Sequence, residues 1–298
     1  MLNQVIAKSL PWIPKSVVHS VARRYIAGET LEDAVRVVRE LNSMGAVATM
    51  DVLGEFVKDR GQAAESTEMA QKMFEAIHQN KLKSGVSVKL TSLGLDIDPE
   101  FCYLNLKAIV EKARQFGRFV RIDMENSPYT TRTLDLYRRL RQEGLENVGV
   151  VIQARMRRSE ADVLALASLT AEIRLCKGIY VEPKEIAFQG SDEIRENYKK
   201  LLVLFFEQKM HVGIATHDDP LMEFAKEYIK EKSIDRSRYE FQMLLGVRDA
   251  KRNELLKEGY KVRIYVPFGQ DWYGYCLRRL KENPQIAGHV MRAFFTGK

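Results

Sequence analysis

The sequence has 298 residues, of which 45% are hydrophobic and 29% charged, and 47 basic against 40 acidic residues give a net charge of +7. These values are typical of a soluble globular protein with a large core, and no apolar run is long enough to cross a bilayer. The first residues show no hydrophobic stretch with a small-residue cleavage site, so we expect no secretory signal and a cytoplasmic location.

Cysteine, histidine and charge patterns exclude several other classes. The three cysteines are far apart, which indicates reduced thiols rather than disulfides. The five histidines do not fall at ligand spacings, so we predict no metal site. Basic residues alternate with acids, as in 226–238, so we predict no nucleic-acid binding. A peripheral contact with an anionic membrane surface stays open.

The first 45 residues are predicted to form a helical segment that packs on the rest of the chain, 46–298. Residues 15–26 show helical spacing of apolar side chains. A second helix is predicted to begin after Thr30, which forms a capping box with Asp33, and to end near Gly45.

From residue 46 onward, short apolar runs rich in β-branched residues alternate with amphipathic segments. Helical periodicity between the runs, for example at 66–79 and 191–208, predicts helices. Eight such repeats are typical of an α/β fold, and the length favours a closed (β/α)8 barrel over an open sheet. No GxGxxG follows a strand, so the usual dinucleotide motif is missing. The predicted strands are 46–53, 85–91, 119–125, 148–154, 172–178, 211–217, 239–246 and 261–269.

Polar side chains interrupt these strands mostly near their carboxyl ends, which meet at the mouth of such a barrel. Each alone could be a structural polar group, but burying so many charges without partners would be costly. Lys89 and Asp123 fall on neighbouring strands and are predicted to pair. The set is basic and lacks a nucleophile, which predicts an anionic ligand and a cofactor that carries its own chemistry. Its members are Lys89, Asp123, Glu125, Gln153, Arg155, Arg174, Lys177, Thr216, His217, Gln242 and Tyr265.

Six strings, in order along the chain, resemble the proline dehydrogenase family, specifically its short monofunctional bacterial branch. The resemblance implies a (β/α)8 barrel preceded by helices, with FAD at the carboxyl mouth. It also implies oxidation of L-proline to Δ1-pyrroline-5-carboxylate, with a hydride passing from proline C5 to flavin N5. The strings are VSVKL (86–90), IDMEN (122–126), IRLCKGIY (173–180), IATHD (214–218), FQMLLG (241–246) and RIYVPFGQDWYGYCLRRLKEN (263–283).

The same resemblance implies partners. Electrons would pass to a membrane quinone, which would give the basic surface a contact with the inner face of the cell membrane. No second catalytic domain or DNA-binding arm fits in 298 residues. A separate pyrroline-5-carboxylate dehydrogenase would therefore act on the product. The first 45 residues and the tail 285–298 lie outside the matching strings and are assigned only packing or capping.

Site residues follow from the resemblance as well. Lys89, Arg278 and Arg279 would hold the proline carboxylate, and Tyr265 would limit the size of the substrate. The catalytic residues would be Asp123, which orients the basic groups, and Arg174, which donates near flavin N5. Residues 275–283 are predicted to form a helix, on which Glu282 can pair with either arginine of the 278–279 pair, and Tyr275 is a further supporting residue. FAD would be lined by Met124, Gln153, Arg174, Lys177, Gly178, Ile179, Thr216, His217, Gln242 and Leu244.

Two alternatives remain open at the level of sequence. The first is another barrel enzyme, an aldolase that forms a Schiff base on Lys89, which requires a lysine of lowered pKa. The second is a non-catalytic ligand-binding barrel, which we would expect to lack charges at its strand ends.

Overall fold

Eight parallel strands close into a barrel in the computed structural model, which describes residues 24–169 and 171–275. Each strand pairs with its neighbours in sequence, and the eighth returns to the first. The predicted fold class is therefore confirmed, and every strand lies within its predicted run except that the second begins one residue early, at Ser84. The strands are β1 (Val47–Val52), β2 (Ser84–Val88), β3 (Val120–Ile122), β4 (Val148–Gln153), β5 (Glu172–Cys176), β6 (His211–Ala215), β7 (Tyr239–Leu244) and β8 (Val262–Phe268).

Helices lie between the strands and cover the outside of the barrel. Aspartates cap two of these helices: Asp59 accepts from the backbone N–H of Gln62, and Asp98 accepts from those of Glu100 and Phe101. No helix within the described ranges is long and apolar enough to cross a membrane. The helices are α1 (Leu31–Ser43), α2 (Arg60–Gln79), α3 (Pro99–Gln115), α4 (Ser127–Gln142), α5 (Ser159–Leu166), α6 (Ser191–Glu207), α7 (Asp219–Glu231) and α8 (Asp249–Lys257).

The amino-terminal segment meets the barrel beside β1 and β8, against which α1 packs. The predicted capping box of Thr30 and Asp33 is present at the start of α1. Of the helix predicted at 15–26, residues 15–23 lie outside the described part, and residues 24–26 form a turn instead. The division at residue 45 stays a prediction. Of the helix predicted at 275–283, only Tyr275 lies within the described residues, and it is helical together with 272–274.

Side chains point alternately to the two faces of each strand, which separates an apolar outer layer from a polar interior. In β3, Val120 and Ile122 belong to the hydrophobic core between strands and helices. Arg121, between them, therefore points into the barrel. Its guanidinium donates to the carbonyls of Val150 (2.9 Å) and Glu172 (2.6 Å). Burial lowers the pKa of Arg121 to about 10. The hydrophobic effect thus holds the barrel from outside, while charges fill its interior.

Among the interior positions, Gly149 and Gly213 face long side chains of neighbouring strands. A Cβ on Gly149 would lie 2.2 Å from the carbonyl oxygen of Glu172 and 2.6 Å from Nη1 of Arg121. A Cβ on Gly213 would lie 2.3 Å from Nε2 of Gln242. In a close-packed interior such contacts leave no room for any side chain. The glycines therefore provide the volume that the interior arginine and glutamine occupy.

Candidate active site

A cavity of about 680 Å³ opens at the carboxyl ends of the strands, within the size range of roughly 300–1,000 Å³ for small-molecule sites. Every predicted site residue in the described ranges lines it, so the predicted clustering is observed. Arg278, Arg279 and Glu282 lie outside the described residues. Those in the lining are Lys89, Asp123, Met124, Gln153, Arg174, Lys177, Gly178, Ile179, Thr216, His217, Gln242, Leu244, Tyr265 and Tyr275.

Asp123, immediately after β3, is bonded by side chains from three other strands. Its carboxylate accepts from Ser87 Oγ (2.8 Å), Arg174 Nη1 (2.5 Å) and the Tyr265 hydroxyl (2.9 Å). Its backbone N–H donates to the carbonyl of Val88 (2.9 Å), which fixes the position of the residue beside β2. Asp123 therefore orients one basic group, Arg174, and one phenol, Tyr265.

Tyr265 closes one side of the cavity. Burial, reinforced by the charges of Asp123 and Asp51, raises the pKa of this phenol well above its ordinary value, so the hydroxyl stays a donor. The guanidinium carbon of Arg174 lies 5.4 Å from the ring centroid, within the range of a cation–π contact. The ring is thus held by its hydroxyl and by the cation beside it.

Lys89, just after β2, pairs with a carboxylate that the sequence analysis did not choose. Its ammonium nitrogen lies 2.9 Å from both carboxylate oxygens of Asp51 in β1, whereas the predicted Lys89–Asp123 hydrogen bond is absent among the described contacts. That prediction was wrong: the ammonium reaches Asp51 in β1, and Asp123 is bonded by Ser87, Arg174 and Tyr265 instead. The Lys89 and Asp51 side chains are only 11% and 2% exposed.

Charges around Lys89 keep it protonated. Burial acts against the ammonium form, but the carboxylates of Asp51, Asp123 and Glu55 outweigh it, so the pKa of Lys89 is raised above its ordinary value. A Schiff-base lysine needs the opposite shift. The geometry therefore suits Lys89 to binding an anion rather than attacking a carbonyl group.

Gly178, just after β5, lies close to the side chain of Gln153 at the end of β4. Gly178 has a φ of +95°, and a Cβ there would lie 2.8 Å from Oε1 of Gln153. The Gln153 amide is itself fixed, since Nε2 donates to the carbonyl of Glu125 (2.9 Å). Only glycine allows the backbone after β5 to lie this close to Gln153, and both residues line the cavity.

Lys177 is anchored to the loop after β6. Its ammonium lies 2.8 Å from Asp218 Oδ2, and Arg195 Nε donates to the same oxygen (3.0 Å). Although burial opposes the ionised form, Lys177 and Arg195 hold the pKa of Asp218 below its usual value. The triad places a fixed cation at the rim of the cavity, where an anionic group of a ligand could lie.

The ends of β6 and β7 are joined through a histidine. His217 Nε2 accepts from the backbone N–H of Leu244 (3.0 Å), and Arg248 Nη1 donates to the carbonyl of His217 (2.7 Å). Just before His217, Thr216 Oγ1 accepts from the N–H of Asp218 (3.2 Å). These bonds hold the two strand ends together at the rim.

The cavity combines apolar and cationic walls. Met124, Val151 and Leu244 provide apolar surface, and Arg155 and Lys177 add cations. An aromatic ring system with anionic groups suits this combination, since apolar surface contacts its faces and cations pair with its charges. The residues present therefore fit FAD.

Several lining residues were missed by the sequence analysis, among them Asp51 and Tyr25. Asp51 interrupts the apolar run of β1, a signal that was available but not used. Tyr25 is buried and lines the cavity, although its segment was assigned only packing or capping roles. Hydrogen bonds from Ala27 N–H to the carbonyl of Pro267 (2.8 Å) and from Gly269 N–H to that of Gly28 (3.0 Å) tie this segment to β8. No periodicity in the sequence signals such a contact.

Comparisons with known proteins place the chain in one family. The family model described as Proline dehydrogenase matches residues 34–292. Proline dehydrogenase 1 of Bacillus subtilis (strain 168) is 40% identical over 271 residues, covering 91% of this chain and 89% of the relative. Proline dehydrogenase of Deinococcus radiodurans is 34% identical over 282 residues, covering 93% and 91%. Among solved structures, proline utilization A (PutA) from Bdellovibrio bacteriovorus, inactivated by N-propargylglycine, shares the fold with a TM-score of 0.83 at 23% identity, covering 89% of this chain and 33% of that one.

The buried Lys89–Asp51 pair generates a stability prediction. Asp51→Asn leaves the ammonium buried without its closest counter-charge, so we expect a loss of about 3 kcal/mol in the free energy of unfolding. Asp51→Asn combined with Lys89→Met removes the orphaned charge and should recover much of that loss. Urea unfolding of both variants measures the difference. A double variant no more stable than Asp51→Asn would contradict the pairing.

Proposed function

Since this chain belongs to the proline dehydrogenase family, we propose that it oxidises L-proline to Δ1-pyrroline-5-carboxylate with FAD, as the first step of proline catabolism. The observation that carries the proposal is the bonding of Arg174 and Lys89 inside the cavity. Asp123 and Asp51 hold these two cations at fixed positions between apolar walls. Fixed cations of this kind bind a carboxylate and stabilise negative charge that develops on a cofactor.

Substrate binding begins with the carboxylate of proline. Lys89 uses two of its three N–H donors on Asp51, which leaves one for the substrate. Arg278 and Arg279, beyond the described residues, would complete the carboxylate clamp, meaning Lys89 and these two arginines. Glu282 would fix an arginine rotamer. Tyr265 would pack against the pyrrolidine ring and limit its size.

The residues that would hold FAD are those that form the remaining walls. When bound, FAD would supply the two-electron acceptor for the hydride that leaves proline C5. Arg174 would donate to the position where negative charge arrives, and Asp123 would keep that donor and Tyr265 in place. Tyr275, in the helical residues 272–275, would support the cavity wall on that side. The proposed wall residues are Met124, Gln153, Lys177, Gly178, Ile179, Thr216, His217, Gln242 and Leu244.

Bond changes in the substrate are simple. The C5–H bond of proline breaks with its electron pair, a C5=N double bond forms, and the amine loses its protons to solvent. Orientation then matters most, because a hydride moves only between atoms in near contact. Holding the carboxylate at one end and the ring against Tyr265 at the other would orient C5.

The two alternatives are weaker on this structure. The Schiff-base aldolase needs a neutral Lys89, but three carboxylates keep that lysine charged. A non-catalytic barrel has no use for charges at its strand ends, and here Lys89, Asp123, Arg174 and Lys177 all line the cavity.

The absorption spectrum tests the function directly. The purified protein should be yellow with a visible flavin band, and L-proline added without oxygen should bleach that band because two electrons enter the cofactor. A spectrophotometric titration is the measurement. A colourless protein that borohydride traps with a carbonyl substrate would instead support the aldolase alternative.

The proposed clamp generates a second prediction. Arg279→Met removes a charge-assisted hydrogen bond to the substrate, so we expect the KM for proline to rise roughly 10-fold or more. FAD content should be unchanged. Lys281→Met, which removes a cation from the same predicted helix, is the matched control and should leave KM as it was. Normal kinetics for Arg279→Met would sink the clamp assignment.

Reoxidation is proposed to occur at a membrane quinone, with the basic protein bound peripherally to the inner face of the cell membrane. A separate pyrroline-5-carboxylate dehydrogenase would consume the product. After bleaching by proline, a soluble quinone analogue should restore the flavin band. After flotation with anionic vesicles at physiological salt, the enzyme should be found in the vesicle fraction. Absence of vesicle binding in both flavin redox states would refute the membrane contact.

A further inference from the structure

Glu240 lies in β7 below the cavity and does not line it, yet two hydrogen bonds link it to Arg174. Gln242 Nε2 donates to Glu240 Oε1 (2.7 Å), and Gln242 Oε1 accepts from Arg174 Nε (2.6 Å). All three side chains are buried. The connection therefore runs from a residue outside the cavity to a cation inside it.

The ionised carboxylate of Glu240 determines which way the Gln242 amide faces. A carboxylate only accepts hydrogen bonds, so it requires the NH₂ end of the amide. The carbonyl end then faces Arg174, whose Nε–H only donates. Reversing the amide would place oxygen against oxygen and N–H against N–H, and both hydrogen bonds would be lost in a buried site.

Glu240 is itself held firmly. Arg263 in β8 grips it through two nitrogens, with Nη2 at 3.0 Å from Oε2, and Lys261 Nζ lies 2.9 Å from the same oxygen. Arg263 Nη1 also donates to the carbonyl of Ala48 in β1 (2.7 Å). Although burial opposes its charged form, these cations hold the pKa of Glu240 well below its usual value. The Glu240 carboxylate therefore stays ionised at neutral pH and is fixed in position by these bonds.

The backbone leaves space for this connection. Gly213 in β6 is level with Arg174 on one side and Glu240 on the other. A Cβ there would lie 2.3 Å from Gln242 Nε2. The amide can therefore occupy its position only because the strand between β5 and β7 carries no side chain at this level.

Arg174 is consequently held on two sides, by Gln242 at Nε and by Asp123 at Nη1 (2.5 Å). Building on the proposed function, we propose that Glu240 is a positioning residue that acts through Gln242 to orient the guanidinium of Arg174 towards the flavin. A donor fixed in advance stabilises developing charge without reorganisation. Loss of Glu240 should therefore affect the redox step and spare the binding of proline.

Glu240→Gln tests this, because a neutral amide at position 240 offers either a donor or an acceptor and no longer fixes Gln242. We expect flavin reduction by saturating proline to slow roughly 10-fold, less than the 10²–10³-fold typical for complete removal of a fixed donor. Proline affinity should stay within about twofold, since the clamp is untouched. The flavin midpoint potential should become more negative. In the apoprotein, the Arg174 Nε–H should exchange faster with water, as measured by ¹⁵N NMR.

A double-mutant cycle separates positioning from general damage. If Glu240 acts through Arg174, then Glu240→Gln should cause no further change in potential or reduction rate in an Arg174→Lys background. Additive effects would overturn the proposal. Glu172→Gln is the matched control, since it removes a carboxylate beside another interior arginine, Arg121. It should leave potential and reduction rate unchanged.

Two further measurements separate the positioning role of Glu240 from poor folding of the variant and from failure of the proposed function. If Glu240→Gln alone folds poorly because Arg263 has lost its counter-charge, adding Arg263→Gln removes that orphaned cation, and the same potential and exchange measurements apply. Bleaching of the wild-type flavin by proline decides the proposed function. A wild-type enzyme that bleaches normally, together with a Glu240→Gln variant of unchanged potential and Nε–H exchange, would refute the positioning role alone.

Discussion

The carboxylate of Asp123 is the interaction on which the candidate site depends. It receives hydrogen bonds from β2, β5 and β8 through Ser87, Arg174 and Tyr265. Strands β5 and β8 are distant from β3 in the chain, and their side chains reach its end only because the barrel closes. One short strand, β3, places the carboxylate at its end, and the backbone bond to Val88 keeps it there. The orientation of both a cation and an aromatic wall thus follows from closure of the barrel.

Stability alone does not explain why the interior is charged. Well-packed apolar side chains of similar volume often replace a buried ion pair without loss of stability. Here Arg263, which lines the cavity, pairs with Glu240 below it, and Arg174 pairs with Asp123 within it. What apolar packing could not supply is a fixed electric field at the cavity. Glu240 does not line the cavity and is joined to Arg174 through Gln242, which is the physical basis for the proposed positioning role.

The fold and much of the cavity lining could be predicted from the sequence, whereas the partner of Lys89 could not. Runs of β-branched residues locate strands, and their carboxyl ends collect polar groups such as Lys89 at one mouth. Register places Val88 level with Ile122, and so Lys89 level with Asp123. Strand tilt offsets side chains across neighbouring strands, and Lys89 reaches Asp51 instead. Tyr25 enters the site through a turn that has no periodic pattern. Tilt and irregular backbone are set by the closed barrel as a whole.

The charges in the cavity explain why the proposed carboxylate clamp needs residues beyond the strands. Lys89 is neutralised by Asp51, and Arg174 by Asp123, so these four groups together carry no net charge. Asp51 keeps the lysine protonated but also repels a second carboxylate. An anionic substrate group therefore needs further positive charge, which a pair of arginines just after β8 would provide. Adjacent helical positions point in different directions, which suits two donors that meet one carboxylate from different sides.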